Sequence, residues 1–260
     1  MNVDVIELSE SRAQFVLSGV SSAFANALRR SMMAEVPSLA IDDVNIYENT
    51  SVLYDEVLAL RLGLIPLRTD LDLYVLRSEC KCEDGCPRCQ VSLTLSVEGP
   101  KTVYSGDLQS SDPKVVPTET DIPIVKLKKD QKLVLEAIAR LGKGKDHAKW
   151  QPAVACGYKN LPKIVISGCD RCGACVDVCP KNILKLNETV VVKDEIKCSL
   201  CHLCEKACES GAIKISADPA SFVFSVEADG SMPCMEMVLR AADEIKKKAK
   251  ALTKSLSGVT

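Results

Sequence analysis

Eight of the chain's 14 cysteines fall into two copies of one spacing. The first copy is Cys169, Cys172, Cys175 and Cys179; the second is Cys198, Cys201, Cys204 and Cys208. Each cysteine of the second copy stands 29 residues after its counterpart (169 to 198, 172 to 201, 175 to 204, 179 to 208). The flanks repeat as well, since Asn182-Ile183-Leu184-Lys185-Leu186 is answered by Gly211-Ala212-Ile213-Lys214-Ile215. An internal duplication built on thiols constrains a fold tightly. A segment too small for its own apolar core must close around whatever those thiols hold.

The spacing has a chemical reason. Two-residue gaps let three thiolates wrap one compact cluster, with backbone N–H groups turned toward the sulfurs. The fourth cysteine is carried off on the next helical turn and ligates the other cluster. This is the bacterial ferredoxin unit, and it predicts one or two iron–sulfur clusters of the 4Fe-4S or 3Fe-4S kind. Site one is Cys169, Cys172, Cys175 and Cys208; site two is Cys198, Cys201, Cys204 and Cys179. The competing reading is a pair of zinc sites or disulfides. Pro180 follows Cys179 as the pattern expects, fixing φ and helping to aim the thiolate. Glu209 follows Cys208 instead and sets a carboxylate beside an anionic cluster. Site two is therefore expected to be the more secure, and site one to be labile, empty or oxidised. His202, inside the site-two loop, either tunes the potential or is a surface imidazole.

Four further cysteines form a dense hydrophilic knuckle, Cys80-x-Cys82-x3-Cys86-x2-Cys89, with Gly85 and Pro87 supplying tight turns. Four thiolates within ten residues suit a tetrahedral structural zinc, with local disulfides as the alternative. Compartment bears on that choice. The N-terminus carries Asp4, Glu7 and Glu10 and lacks the apolar run of a signal peptide, and no stretch is long enough to span a membrane. A cytoplasmic location is expected, where thiols more often bind metal than pair, hyperthermophiles excepted. Lys plus Arg total 33 against 35 Asp plus Glu, and aromatics are 4%. Neither an overall basic surface nor stacking platforms are available, so no direct nucleic-acid role is expected.

Along the 260 residues, alternation predicts two strands over 1–20, and Ser21-Ser22 offers an N-cap for a helix from about Ala23 to Ala34. Leu39 to Ile46 reads as strand, Tyr54 to Gly63 as helix and 91–97 as strand, with loop or hairpin from Gly99 to Pro123. Lys132 to Leu141 reads as a short helix, followed by a basic loop to Trp150. Ser221 to Ala228 reads as strand. A terminal helix follows, capped by Ser231, with Val238, Leu239, Ala242, Ile245, Ala249 and Leu252 as one apolar stripe and a lysine-rich opposite face. Such a stripe needs a partner surface, either its own sheet or a second subunit.

Between Phe24 and Pro66 the chain reads Asn26-Ala-Leu28-Arg29-Arg30, Glu35-Val-Pro37, Ala40-Ile41-Asp42-Asp43-Val44, Glu48-Asn49-Thr50-Ser51-Val52 and Arg61-Leu62-Gly63-Leu64-Ile65-Pro66-Leu67. This segment strongly resembles the α-like subunits of multisubunit DNA-directed RNA polymerases, and more narrowly the archaeal D-type family, related to the third-largest eukaryotic subunit. The knuckle, the Gly144-to-Pro152 loop and the Phe222-to-Pro233 passage resemble the same family. The resemblance implies an α+β fold with a discontinuous α-like dimerisation domain (1–42 and 218–260), an inserted β-rich domain (43–160) carrying the knuckle, and a ferredoxin-like insert (161–217). It also implies an assembly scaffold that pairs with an L-type α-like subunit and then gathers small subunits N and P and the second-largest subunit. Arg29, Arg30, Leu239 and Ile245 are candidate partner-binding residues. Arg30 either reaches a partner or forms a salt bridge within the chain.

The rival reading is a ferredoxin-type electron carrier or an iron–sulfur subunit of an oxidoreductase. The chain has no Gly-x-Gly-x-x-Gly loop, no phosphate-binding Gly-rich loop and no Asp-x-Asp-x-Asp cluster, and its two histidines, His147 and His202, belong to no catalytic spacing. Nucleotidyl transfer is accordingly expected to belong to another subunit.

Overall fold

In the computed structural model, which describes residues 1–83 and 85–257, the N-terminal alternation forms strands β1 (Asn2–Leu8) and β2 (Arg12–Ser18). Ser21 then caps α1 (Ser22–Ala34): its Oγ accepts the Phe24 N–H at 3.2 Å, satisfying one donor that a helix start leaves open. Next come β3 (Pro37–Asn49) and α2 (Asp55–Gly63), whose Asp55 and Glu56 in the first turn and Arg61 in the last suit the helix dipole. β4 (Gln90–Glu98), β5 (Lys101–Tyr104), β6 (Gln109–Ser110), β7 (Pro123–Leu127) and β8 (Lys132–Lys143) follow. β9 (Ala153–Ile166) leads into the cysteine repeat, which contains α3 (Ala174–Asp177), β10 (Leu184–Leu186), β11 (Val190–Val192) and α4 (Leu203–Lys206). β12 (Ile213–Ala228) leaves the repeat, and α5 (Cys234–Ser257) ends the described chain. The last three residues of the expected 218–260 segment lie outside the described residues.

The chain gathers into two compact units. One takes residues 1–6, 14–26 and 157–225; the other takes 7–13, 27–156 and everything from 226. In the second unit, an antiparallel sheet of order β3-β8-β4-β6 carries the main core. Leu39 and Ile41 of β3, Leu93 and Leu95 of β4, and Leu133 and Leu135 of β8 bury with Leu58 and Leu62 of α2. Each such side chain is worth about 1.5–3 kcal/mol when fully buried. Glycines set two close approaches. A Cβ on Gly142 would lie 2.2 Å from the Trp150 ring, and one on Gly144 would lie 2.1 Å from the Met33 carbonyl oxygen. Gly144 thus lets the loop cross the end of α1, where the Lys145 N–H bonds the Ala34 carbonyl at 3.1 Å.

Three expectations are corrected. Residues 132–141 are not a helix but most of β8, the strand paired on both sides by β3 and β4. Their Leu, Ala and Glu content favours a helix, but Leu133, Leu135, Ala137, Ala139 and Leu141 are buried in strict alternation, so packing overrides propensity. Ser231 does not cap α5, because its Oγ is buried without a hydrogen-bond partner and its N–H bonds Asp229 Oδ1. One free N–H at the start of that helix is met instead by the chain's N-terminal segment, Cys234 donating to the Glu10 carbonyl at 2.7 Å. The apolar stripe of α5 is also two faces. Cys234, Met237 and Ala241 are buried and Val238 and Ile245 half-buried, whereas Leu239, Ala242, Ala249 and Leu252 are exposed.

In the first unit lies most of a four-stranded sheet of order β1-β2-β12-β9. Phe15 stacks on Phe224 at 5.1 Å, and Tyr158 meets Phe222 edge-on at 5.5 Å. The duplication is visible in the backbone. Left-handed residues recur at the same offset: Arg171 and Leu200, Gly173 and His202, Asn182 and Gly211. The one-turn helices α3 and α4 are equivalent in the same way, as are the strand starts at Leu184 and Ile213. The core here is made partly of thiols: Cys175, Cys179, Cys198 and Cys204 are buried with Ile183, Leu184, Val190, Ile213 and Ile215.

Candidate metal centres

The left-handed residues turn each cysteine loop back so that its N–H groups face sulfur. The Leu200 N–H points to Cys198 Sγ at 3.5 Å, and the Ala212 N–H to Cys208 Sγ at 3.3 Å. Cys179 of the first copy lines one cavity with Cys198, Cys201 and Cys204 of the second, walled by Ile164, Ile183 and Leu184. Around Cys175, the neighbouring thiols are Cys169, Cys208 and Cys172; burial first, then those neighbours, push its thiol above the ordinary value. Cys204 is raised likewise by burial and by Cys179 and Cys198. Each quartet thus draws its fourth cysteine from the other copy. Thiols that burial keeps protonated need a positive partner to ionise, and a cluster's irons supply one.

The quartets differ in surroundings. Cys179 is buried, whereas Cys208 is half-buried, and its thiol is lowered by the Ser210 hydroxyl, 3.5 Å away, and by backbone N–H groups. His202 is exposed and hydrogen-bonds Glu205 Oε2 through Nδ1 at 2.6 Å, which is the surface-imidazole alternative. Lys159 of β9 reaches the carbonyls of Ile196 and Cys198, at 2.6 and 2.7 Å. Burial lowers its ammonium from the ordinary value while Cys198 opposes that shift. No local motif marks Lys159, because the contact depends on β9 running past a loop 37 residues on.

The knuckle is tighter. Sγ separations are 3.3 Å for Cys80–Cys82, 3.6 Å for Cys80–Cys86, 3.5 Å for Cys82–Cys89 and 3.8 Å for Cys86–Cys89. A disulfide needs about 2.05 Å, and all four are free thiols. Zinc–sulfur bonds of about 2.3 Å in a tetrahedron place sulfurs about 3.8 Å apart, so the donor set fits zinc. Among the described residues, no other trio of His, Cys, Asp or Glu is gathered within 4.8 Å. The ferredoxin-type thiols are thus not drawn together as tightly as the knuckle's. Arg77 braces the knuckle, its Nη1 donating to the Cys82 carbonyl at 2.8 Å and to Cys82 Sγ at 3.1 Å. The Cys82 backbone and thiol both donate to Cys80, bringing Cys80 down to about 7, while that sharing and burial push Cys82 up. Gly85 sits at φ 103, and a Cβ there would strike the Gln90 side chain at 2.3 Å.

The candidate partner residues do not lie together. Arg30 and Ile245 line one cavity of about 320 Å³ with Ala27, Ser31, Glu35 and Lys248. Arg30 is exposed, and no carboxylate pairs with it among the described residues. Arg29 is half-buried and directs Nη1 to Met33 Sδ at 3.2 Å. Leu239 is exposed, outside that cavity. Asp42 bonds Lys149 Nζ at 2.7 Å and Arg140 at 3.2 Å, joining two passages that carry the sequence resemblance.

Comparison with known proteins decides the family. Residues 44–155 match the family model of the RNA polymerase Rpb3/RpoA insert domain, and residues 168–212 match that of the 4Fe-4S dicluster domain. The chain is 56% identical over 257 residues to the DNA-directed RNA polymerase subunit Rpo3 of Methanosarcina acetivorans, covering 97% of each. The chain belongs to the Rpo3 family of DNA-directed RNA polymerase subunits. The Rpo3 of Methanosarcina mazei is 57% identical over 257 residues, covering 97% of each, and that of Archaeoglobus fulgidus is 43% identical over 260, covering 99% of this chain and 98% of the other. Membership makes the chain part of a multisubunit transcription enzyme that carries an iron–sulfur domain, and it disfavours the free-standing electron carrier. Among the described residues no helix is long and apolar enough to cross a membrane.

Proposed function

We propose that the chain is the non-catalytic assembly scaffold of its polymerase, the counterpart of the archaeal D-type α-like subunits. In this reading, residues 1–42 and 218–260 form the dimerisation domain, which pairs with an L-type α-like subunit in the cytoplasm. Residues 43–160 are the inserted β-rich domain, held at the knuckle by zinc. Small subunits N and P and the second-largest subunit then join. The crossed quartets hold iron–sulfur clusters that stabilise or regulate the 161–217 insert.

One observation carries the proposal: large apolar side chains stand uncovered on elements that the fold presents without a covering layer. On β1, Val3, Val5, Ile6 and Leu8 are all exposed; on α5, Met235, Leu239, Leu252 and Leu256 are exposed. Stripes of this kind mark protein interfaces. Co-expression with an L-type subunit tests the reading. A stable one-to-one complex that lacks nucleotidyl transfer on its own is expected. A monomer that stays soluble beside the L-type subunit and turns over electrons would refute it.

A further inference from the structure

The two quartets differ in how their first-ligand segments are held, although their sequences are copies. Segment 195–198, which brings in the first ligand of site two, is fastened to β9 at two points. Lys159 Nζ holds the carbonyls of Ile196 and Cys198, and the Ile164 N–H is accepted by Glu195 Oε1 at 2.8 Å. Lys181 lines the same quartet's cavity. At the equivalent place in the first copy, among the described residues, no lysine or arginine donates to the carbonyls of Ser167 or Cys169. Instead Asp170 lies in the loop beside Arg171, its Oδ1 accepting the Cys172 N–H at 3.2 Å. Glu209 adds a second carboxylate beside Cys208 in the chain.

We propose that Lys159 is the positioning residue of site two, fixing the Cys198 loop and setting an ammonium beside it that makes this cluster both easier to reduce and slower to lose than the one at site one. The inference rests on the crossed-ligand reading above. A cluster held by four thiolates is anionic and gains another negative charge when a one-electron donor reduces it. A nearby cation stabilises that state, and nearby carboxylates oppose it. The same ammonium satisfies two carbonyls that otherwise turn their negative ends toward the loop.

The test uses the full chain purified anaerobically, with electron paramagnetic resonance followed through a dithionite titration. Cys201→Ser identifies the site-two signal. In Lys159→Met, the reduction equilibrium of that signal should fall about tenfold, about 59 mV for one electron, and its iron should reach a chelator faster, with site one unmoved. Complete loss of only the Cys201-dependent signal supports the proposal equally. Lys159→Arg, which keeps the charge, should keep the potential. An unshifted potential with unchanged iron release in Lys159→Met overturns the proposal, as does an equal shift at both clusters. If the unsubstituted chain contains no Cys201-dependent cluster, the crossed-ligand reading fails, and this inference with it.

Discussion

Ser231 stands where a cap for α5 is expected, yet its hydroxyl is buried without a partner. Ser231→Ala should therefore be neutral or stabilise by up to about 1 kcal/mol, since it removes an unsatisfied group. Ser21→Ala should cost about 1 kcal/mol, because that hydroxyl accepts the Phe24 N–H. Paired urea titrations distinguish the two. Arg77 makes the complementary case at the knuckle. Arg77→Gln removes a donor to the Cys82 sulfur and should weaken zinc binding roughly 10–100-fold, measured by competition with a chromophoric chelator. Unchanged affinity would leave Arg77 as a loop brace alone. The cysteines themselves were readable from spacing, because a cluster's geometry is written locally. Lys159 and Arg77 were not, because a single basic residue gives no signal until the fold brings it to its partner.

At the scale of elements, α5 divides its work between two faces. Met237 is 0% exposed, so Met237→Ala should cost about 2–5 kcal/mol of fold stability. Leu239 is 56% exposed, so Leu239→Asp should leave the isolated chain near native stability yet cost several kcal/mol of pairing with an L-type subunit. Thermal melts of the chain and binding isotherms of the pair separate these effects; a Leu239→Asp chain that unfolds alone would contradict the assignment of faces. The sequence pattern showed an amphipathic helix here but merged the faces, because Val238 and Ile245 lie at the boundary between them. In β8 the misreading ran the other way. Ala137 and Ala139 are good helix residues in isolation, and only the strands on either side make them strand residues.

At the scale of the whole molecule, the insert depends on its thiols in a way the rest of the chain does not. Buried cysteines make up much of the core around 175–215, whereas the β3-β8-β4-β6 sheet buries an aliphatic core with α2. Anaerobic iron chelation should therefore raise hydrogen exchange across 161–217 and leave β3, β4 and β8 protected. Uniform loss of protection would mean that the chain folds as one cooperative block. The polymerase family was legible from passages such as Arg61 to Leu67, and the iron–sulfur domain from the cysteine duplication. The uncovered apolar faces that argue for scaffolding are a property of the folded chain. The most direct measurement is polymerase reconstitution from separate subunits with and without this chain, followed by gel filtration. The scaffold account predicts that, without it, the L-type subunit and the second-largest subunit elute apart, and that adding it back joins them. Their co-elution in its absence would contradict the account.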